Sequence, residues 1–324
     1  MADRAETFYL STGRILTEAL LPTGGVLILY FLDPLAAPEV QKGIGSSEKA
    51  IVTLVVGEAY MRVWQTACRA SWEAYAARHG YDLIVITDLF DRSERGRERS
   101  PAWQKLLILE QVWADHYHQI VWVDADIIIS AHAPDIVHCL TMTDRIGVCR
   151  AGAQMSPAET HIYLERLYRM PIDPTVAAVI CRLHHHGQYA NAGLADCEAP
   201  MLSTGVFVVS PAHHRAVLAA IYDGTSESRL YEQPLFSHIL AAQGLSEELT
   251  PRFNWSVHDW LTVHFSSHTR SADEPPLDVS PAEIQLIIHC VLGELAKAYF
   301  LHFSGSMPML QLFADVHCTE PARC

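Results

Sequence analysis

Residues 51–56 (IVTLVV) and 83–87 (LIVIT) are short, continuous β-branched runs, and between them Val63, Ala67, Ala70, Trp72 and Ala76 recur among polar side chains. A run that is apolar at nearly every position and too short for a buried helix has the pattern of a strand covered on both faces. Gly57 stops the first run, and Gly80 stands where a helix over residues 60–79 needs a left-handed C-cap. Strand, helix and strand in this order make a βαβ unit, which commits the chain to a sheet with parallel strands. The expected fold class is therefore α/β, a mixed and mostly parallel sheet flanked by helices. At 324 residues, one large domain with appended segments fits better than two equal ones.

The following segments extend this pattern. Residues 88–101 carry Arg92, Arg95, Arg97 and Arg99 without an apolar period and are expected to be a solvated loop with surface charge. Residues 103–117 are expected to form an amphipathic helix, and residues 120–129 (IVWVDADIII) a third strand, apolar on both sides of an acidic pair. Strands are expected at 146–149, 201–210 (MLSTGVFVVS) and 298–303 (AYFLHF), helices at 211–222 and 231–242, and an irregular segment around 252–255. Residues 152–200 are weakly patterned, helical over 158–169, and contain His184, His185 and His186. Three adjacent imidazoles point in different directions in any regular structure, so a surface cluster is expected there rather than one metal site.

The acidic pair carries the chemistry. Asp124 and Asp126, two residues apart at the end of an apolar strand, project to the same side of the backbone. Inside a core the two carboxylates would repel each other and lose hydration, at a cost of several kcal/mol. At a strand exit a divalent cation can neutralise them, and hard oxygen ligands suit manganese or magnesium, which bridge to phosphate oxygens. A bare D-x-D is common, so the pair alone leaves open two acids that merely begin a loop.

An apolar strand ending in D-x-D, after a helix opening Trp103-x-Lys105, resembles the GT-A glycosyltransferases. The nearest likeness is to the galactosyl- and xylosyltransferases related to yeast mannan-synthesising enzymes, and the glycogenin-like group is also similar. The resemblance runs in order from residue 51 to about 305. It implies a GT-A, Rossmann-like single domain over 50–305, with an N-terminal extension (1–49) and a C-terminal tail (306–324). It further implies a metal site of Asp124, Asp126 and His302, the last from a His302-Phe303-Ser304-Gly305 segment like the family's H-x-x-G. Lys105, Asp124, Ser203, Gly205 and Gly305 would hold the donor. Ser203 stands where the family shows asparagine, and no lysine follows Gly305 directly, since Ser306, Met307 and Pro308 come next. Glu232 and Gln233 resemble the family's Asp-Gln pair at a helix start and would be the catalytic residues. For a general base in an inverting reaction, Glu232, His258 and Asp259 are candidates. The implied cofactors are manganese or magnesium and a nucleotide sugar, with UDP as the carrier. The implied reaction moves a hexose or pentose to an acceptor hydroxyl with retention. Two alternatives are a sugar-phosphate nucleotidyltransferase, which wants a glycine-rich phosphate loop where Gly57-Glu58-Ala59 stands, and a non-catalytic nucleotide-sugar-binding protein of the same fold.

A formal net charge of -14 argues against nucleic acid or bulk anionic lipid as a partner. None of the eight cysteines falls in a C-x-x-C pair, and several lie in apolar runs, as expected of reduced thiols in the cytoplasm. Residues 19–32 form an apolar run too short for a typical membrane helix and broken by Pro22, Gly24 and Gly25. A packed peripheral segment is expected there, which leaves membrane contact through it open, with a signal anchor flanked by Arg4 and Arg14 as the alternative.

Overall fold

The computed structural model describes residues 47–194, 197–225, 228–265 and 280–305, the strands within 7–9, 15–20 and 26–32, and the helix 307–319. The strands are β1 (Thr7–Tyr9), β2 (Ile15–Leu20), β3 (Val26–Leu32), β4 (Lys49–Leu54), β5 (Asp82–Ile86), β6 (Gln119–Val123), β7 (Ile127–Ile129), β8 (Ile146–Arg150), β9 (Leu202–Val209), β10 (Ser246–Glu248), β11 (Trp255–Ser256) and β12 (Phe300–His302). Nine of them form one mixed sheet in the order β1-β2-β3-β5-β4-β6-β9-β8-β10. Its centre, β3-β5-β4-β6, is parallel, and β9 runs antiparallel to both neighbours.

Helices flank the sheet, which explains the continuous apolar runs. Ile51, Leu83, Val85, Val121 and Val123 pack into the core on one face, whereas Val52, Ile84, Ile86, Ile120 and Trp122 pack into the core on the other. Successive side chains point to opposite faces, so a strand covered on both sides must be apolar at each position. The βαβ unit is present: α1 (Glu58–Val63) runs through a π-helical segment, Trp64–Cys68, into α2 (Arg69–His79), and Gly80 ends it at φ 70° in the left-handed region. The apolar run near the N-terminus contributes β3, parallel to β5. No helix among the described residues is long and apolar enough to cross a membrane.

Two expectations need correction. The segment 103–117 is not one α-helix but two stretches of 3-10 turns, Pro101–Glu110 and Val112–His116, separated by Gln111 in extended backbone. Trp103, Leu106, Ile108, Leu109 and Trp113 are all buried, and that spacing exceeds a single 3.6-residue stripe, so packing on the sheet overrides the helical period. The strand 120–129 is also divided. β6 ends at Val123, the acidic pair makes a turn, and β7 leaves for a separate three-stranded sheet of order β11-β12-β7. Two carboxylates cannot continue a ladder buried on both faces, so the chain changes sheets at this point.

The segment 88–101, expected as a loop, contains the short α3 (Glu94–Glu98), and the weakly patterned region 152–200 contains α4 (Pro157–Tyr168), opened by a Ser156–Glu159 capping box, and α5 (Ala177–Asn191). Leu164, Ile172 and Ala177 form their small private core. The remaining helices are α6 (Pro211–Asp223), α7 (Gln233–Gln243), α8 (Val257–His264), α9 (Pro281–Glu294) and α10 (Met307–Thr319). Arg95 and Arg99 do not wave into solvent: both donate to the Tyr222 carbonyl, where α6 ends and its dipole favours positive charge. Arg92 pairs with Asp88 at 2.6 Å.

Candidate metal and donor site

The change of sheets at residues 124–126 assembles the site. In the small sheet β12 pairs antiparallel with β7, placing His302 opposite Ile127 and therefore beside the acidic turn. His302 Nε2 lies 3.2 Å from Asp126 Oδ1 and 4.0 Å from Asp124 Oδ2. One ligand atom from each of Asp124, Asp126 and His302 falls within 4.8 Å of the others. The backbone closes the corner: Asp124 donates to the Gly205 carbonyl at 2.8 Å, and Phe303 donates to the Asp126 carbonyl at 2.9 Å.

Hydrogen bonding decides which imidazole nitrogen faces the acids. The Asn254 amide nitrogen donates to Ser203 Oγ at 2.8 Å, which leaves its oxygen to accept from His302 Nδ1 at 2.7 Å. Nδ1 therefore carries a proton, and Nε2 is the nitrogen that can bind a cation between two carboxylates, oriented by a second-shell amide. Two carboxylates and one imidazole make a donor set suited to manganese or magnesium, so the residues fit such an ion. Burial by itself would push the His302 ring toward its neutral form, but the Asp126 carboxylate holds its pKa above the ordinary value. Burial likewise opposes ionisation of Asp126, and the His302 charge and hydrogen bond outweigh it, so its pKa is lowered. Each group thus favours the charged form of the other across 3.2 Å, the interaction that a bound cation would replace.

Asp124 is fixed from behind. Lys105, only 3% exposed, donates to both Asp124 oxygens at 2.9 and 3.2 Å and to the Thr204 carbonyl at 3.1 Å. Its ammonium also lies 3.3 Å from Glu232 Oε1. Burial opposes its charge, yet Asp124 and Glu232 raise its pKa overall. Trp122 Nε1 adds a third hydrogen bond to the Asp124 carboxylate, at 2.7 Å.

Glu232 is 2% exposed, with Oε1 accepting from Thr204 Oγ1 at 2.7 Å and Oε2 buried without a hydrogen-bond partner. Burial raises its pKa, and Lys105 offsets only part of that. The preceding Tyr231 sits at φ 53°, a strained conformation for an aromatic residue, and this turn leads into the buried Glu232.

Gly205 is small for a steric reason. A Cβ there would stand 2.4 Å from His302 Cε1 and 2.7 Å from Nδ1. Gly205→Ala is expected to push the imidazole off its position, at a stability cost of about 1–3 kcal/mol. Because the displaced ring is a ligand, manganese affinity should fall at least about tenfold. Manganese titration of the folded variant checks this, and unchanged affinity would mean that the ring does not need its present place.

A cavity of about 290 Å³ opens beside His302, lined by it, Ser203, Gln233, Asn254, His258 and Asp259 among others. Ser203 and Gln233 thus face open space, whereas Lys105 and Glu232 lie behind Asp124. Gly305 takes a left-handed φ of 66° just past the site. His184 and His185, on α5, also line the cavity. Asp259, whose pKa burial raises, begins α8 under the Ser256 cap.

Trp122, Thr204 and Asn254 were not singled out from sequence. Trp122 had a signal, since it precedes Asp124 by two residues and shares its face. Asn254 had none: it lies in an irregular segment and reaches the site only by packing.

No protein-family model and no curated protein matches this chain. Among solved structures, similar ones include a glycosyltransferase involved in the glycosylation of the major capsid of PBCV-1, 11% identical, with a TM-score of 0.46, covering 82% of this chain and 98% of that one. The galactosyltransferase LgtC in complex with donor and acceptor sugar analogs is 12% identical, with a TM-score of 0.42 and coverage of 84% and 97%. Mouse xyloside xylosyltransferase 1 is 12% identical, with a TM-score of 0.38 and coverage of 68% and 91%. Scores this low do not establish a family, and the functional reading rests on the residues of the site.

Proposed function

We propose that this chain is a metal-dependent glycosyltransferase that takes a hexose or pentose from a UDP-sugar and transfers it to an acceptor hydroxyl with retention. The carrying observation is the Asp124–Asp126–His302 cluster, with Nε2 directed at the acids by Asn254 and a cavity of mixed lining opening beside His302.

Asp124, Asp126 and His302 would hold the divalent cation, which supplies Lewis-acid neutralisation of the departing diphosphate. The charges are consistent with that use. Lys105 faces both Asp124 and Glu232, and the carboxylates of Asp124, Asp126 and Glu232 outnumber it, so a dication would neutralise the acidic turn before a diphosphate approached. Lys105 and Trp122 hold Asp124, while Asn254 holds His302, so the ligand atoms are in place before the donor arrives. Glu232 acts through Lys105 as a positioning residue, and Gln233 and Ser203 face the cavity to receive sugar hydroxyls. In the transfer, the bond from the anomeric carbon to the diphosphate breaks and the bond to the acceptor oxygen forms. Under retention the acceptor proton leaves on a diphosphate oxygen. On this reading residues 50–305 carry the catalytic site, β3 and α10 complete the same sheet and core rather than standing apart as an extension and a tail, and the enzyme works in the cytoplasm.

The nucleotidyltransferase reading gains nothing from the structure, because Glu58 opens α1 after β4 where a phosphate loop would place glycines. Isothermal titration of UDP, with manganese and then with EDTA, tests the proposal. Binding is expected only with the cation, followed by slow hydrolysis of the matching UDP-sugar. Binding indifferent to EDTA would remove the metal from the mechanism, and binding without any hydrolysis or transfer would favour a non-catalytic sugar-nucleotide receptor.

A further inference from the structure

Eleven large apolar side chains stay exposed among the described residues, and six of them fall between residues 167 and 183: Leu167, Tyr168, Met170, Val176, Val179 and Leu183. They belong to the end of α4, the connecting loop and the first half of α5, a hairpin whose small core is separate from the two large ones. On α5, Ala177, Ile180 and Cys181 turn into that small core, while Val179, Arg182, Leu183 and His186 recur at helical spacing on the opposite side. The Tyr168 hydroxyl and His184 Nδ1, 2.9 Å apart, join the end of α4 to α5, so the exposed side chains of both belong to one surface. Apolar exposure concentrated in this way marks an interaction surface.

Charge says what that surface meets. Acids outnumber lysines and arginines 37 to 23 over the chain, yet residues 166–186 hold Arg166, Arg169 and Arg182 against Asp173 alone. The Asp173 carboxylate is taken up within its own turn, by Thr175. Arg169 adds a separate sign. It caps α4 in left-handed backbone, at φ 55°, where glycine is favoured, so an exposed cationic side chain is kept there against a conformational cost. An isologous contact with a second copy would set positive patch on positive patch. Apolar side chains interleaved with arginines instead match an anionic bilayer, where the apolar groups enter the headgroup boundary and the guanidinium groups meet phosphates. The acids elsewhere in the chain do not prevent this, because salt confines the interaction to charges within about 10 Å of the surface.

We propose that the α4–α5 hairpin docks this protein on an anionic lipid bilayer. The same hairpin walls the inner cavity through Tyr163, Cys181 and His184, so the cavity stands beside the membrane in the docked state. Docking is independent of the glycosyltransferase reading, and vesicle binding is measured apart from UDP binding.

Co-sedimentation of the full-length protein with vesicles tests the proposal, comparing phosphatidylcholine alone with an equal mixture of phosphatidylcholine and phosphatidylglycerol. Each basic side chain at an anionic surface contributes about fivefold in affinity. Arg169 and Arg182 together should therefore favour the mixed vesicles by at least about tenfold, an advantage that high salt removes. Val179→Glu combined with Leu183→Glu should abolish binding to both vesicles. Arg169→Gly, which suits the left-handed turn, should lower mixed-vesicle affinity about fivefold with no loss of Tm. Val112→Glu, at an exposed apolar residue elsewhere on the molecule, should change nothing, and metal-dependent UDP binding should persist in every variant. Equal binding to the two vesicles, binding to neither, or wild-type binding by the double variant would overturn the proposal. So would a wild-type dimer in sedimentation velocity that the double variant dissociates, which would assign the surface to a second copy. If the wild type fails to bind UDP yet prefers the mixed vesicles, the catalytic reading falls and the docking surface stands.

Discussion

Asp126→Ala is expected to abolish manganese-dependent UDP binding. Replacing a residue that merely orients a metal ligand typically weakens metal affinity by about 10–100-fold, and losing a ligand itself should cost at least about 100-fold. The substitution also removes the carboxylate 3.2 Å from His302 Nε2 that raises the pKa of that buried ring. The fold should survive, because Asp126 is partly exposed at a turn and only its backbone carbonyl joins the corner, through Phe303. Circular dichroism should therefore be unchanged while titration of UDP with manganese shows no heat above dilution. Wild-type affinity in a folded Asp126→Ala protein would show that the acidic turn binds no catalytic cation, and with it the proposed reaction would fail.

The second large effect concerns stability. Lys105→Met keeps the length of the side chain but leaves Asp124 and Glu232 with no cation, and the Thr204 carbonyl with one donor fewer. Breaking a buried pair by removing one partner costs about 3–5 kcal/mol, because the charge left behind stays desolvated. Urea denaturation should show a loss of that size. Adding Glu232→Met to Lys105→Met should recover part of it, since an apolar pair strands one carboxylate fewer and the orphaned Glu232 Oε2 disappears as well. A loss below about 1 kcal/mol for Lys105→Met would mean that water reaches the ammonium and that the network is not a sealed support for Asp124.

Much of the scaffold was legible because local rules govern it. The runs at 51–56 and 83–87, the helix between them and Gly80 as its left-handed end all correspond to elements of the structure. The same local reading erred where packing overrides period. The stretch after Pro101 tightened into 3-10 turns against the sheet, and the run 120–129 broke at its acids. The hairpin of α4 and α5 was only half visible, since its small core of Leu164, Ile172 and Ala177 makes too narrow a stripe to stand out from the polar residues around it.

By itself, the sequence determined that this chain builds an α/β sheet and that Asp124 and Asp126 must stand at an exit from it. Burial on both faces demands unbroken apolar strands, and two neighbouring carboxylates cannot be buried there without compensation. Only the tertiary structure decided what meets those acids. His302 arrives because β12 pairs with β7 in a second sheet, and Asn254, from a segment with no pattern, selects the nitrogen that faces them. Lys105 and Glu232 lie far apart in the chain and meet behind Asp124 because packing against the sheet carries both there. Such meetings depend on strand order and register, and no local period or propensity in the sequence encodes those.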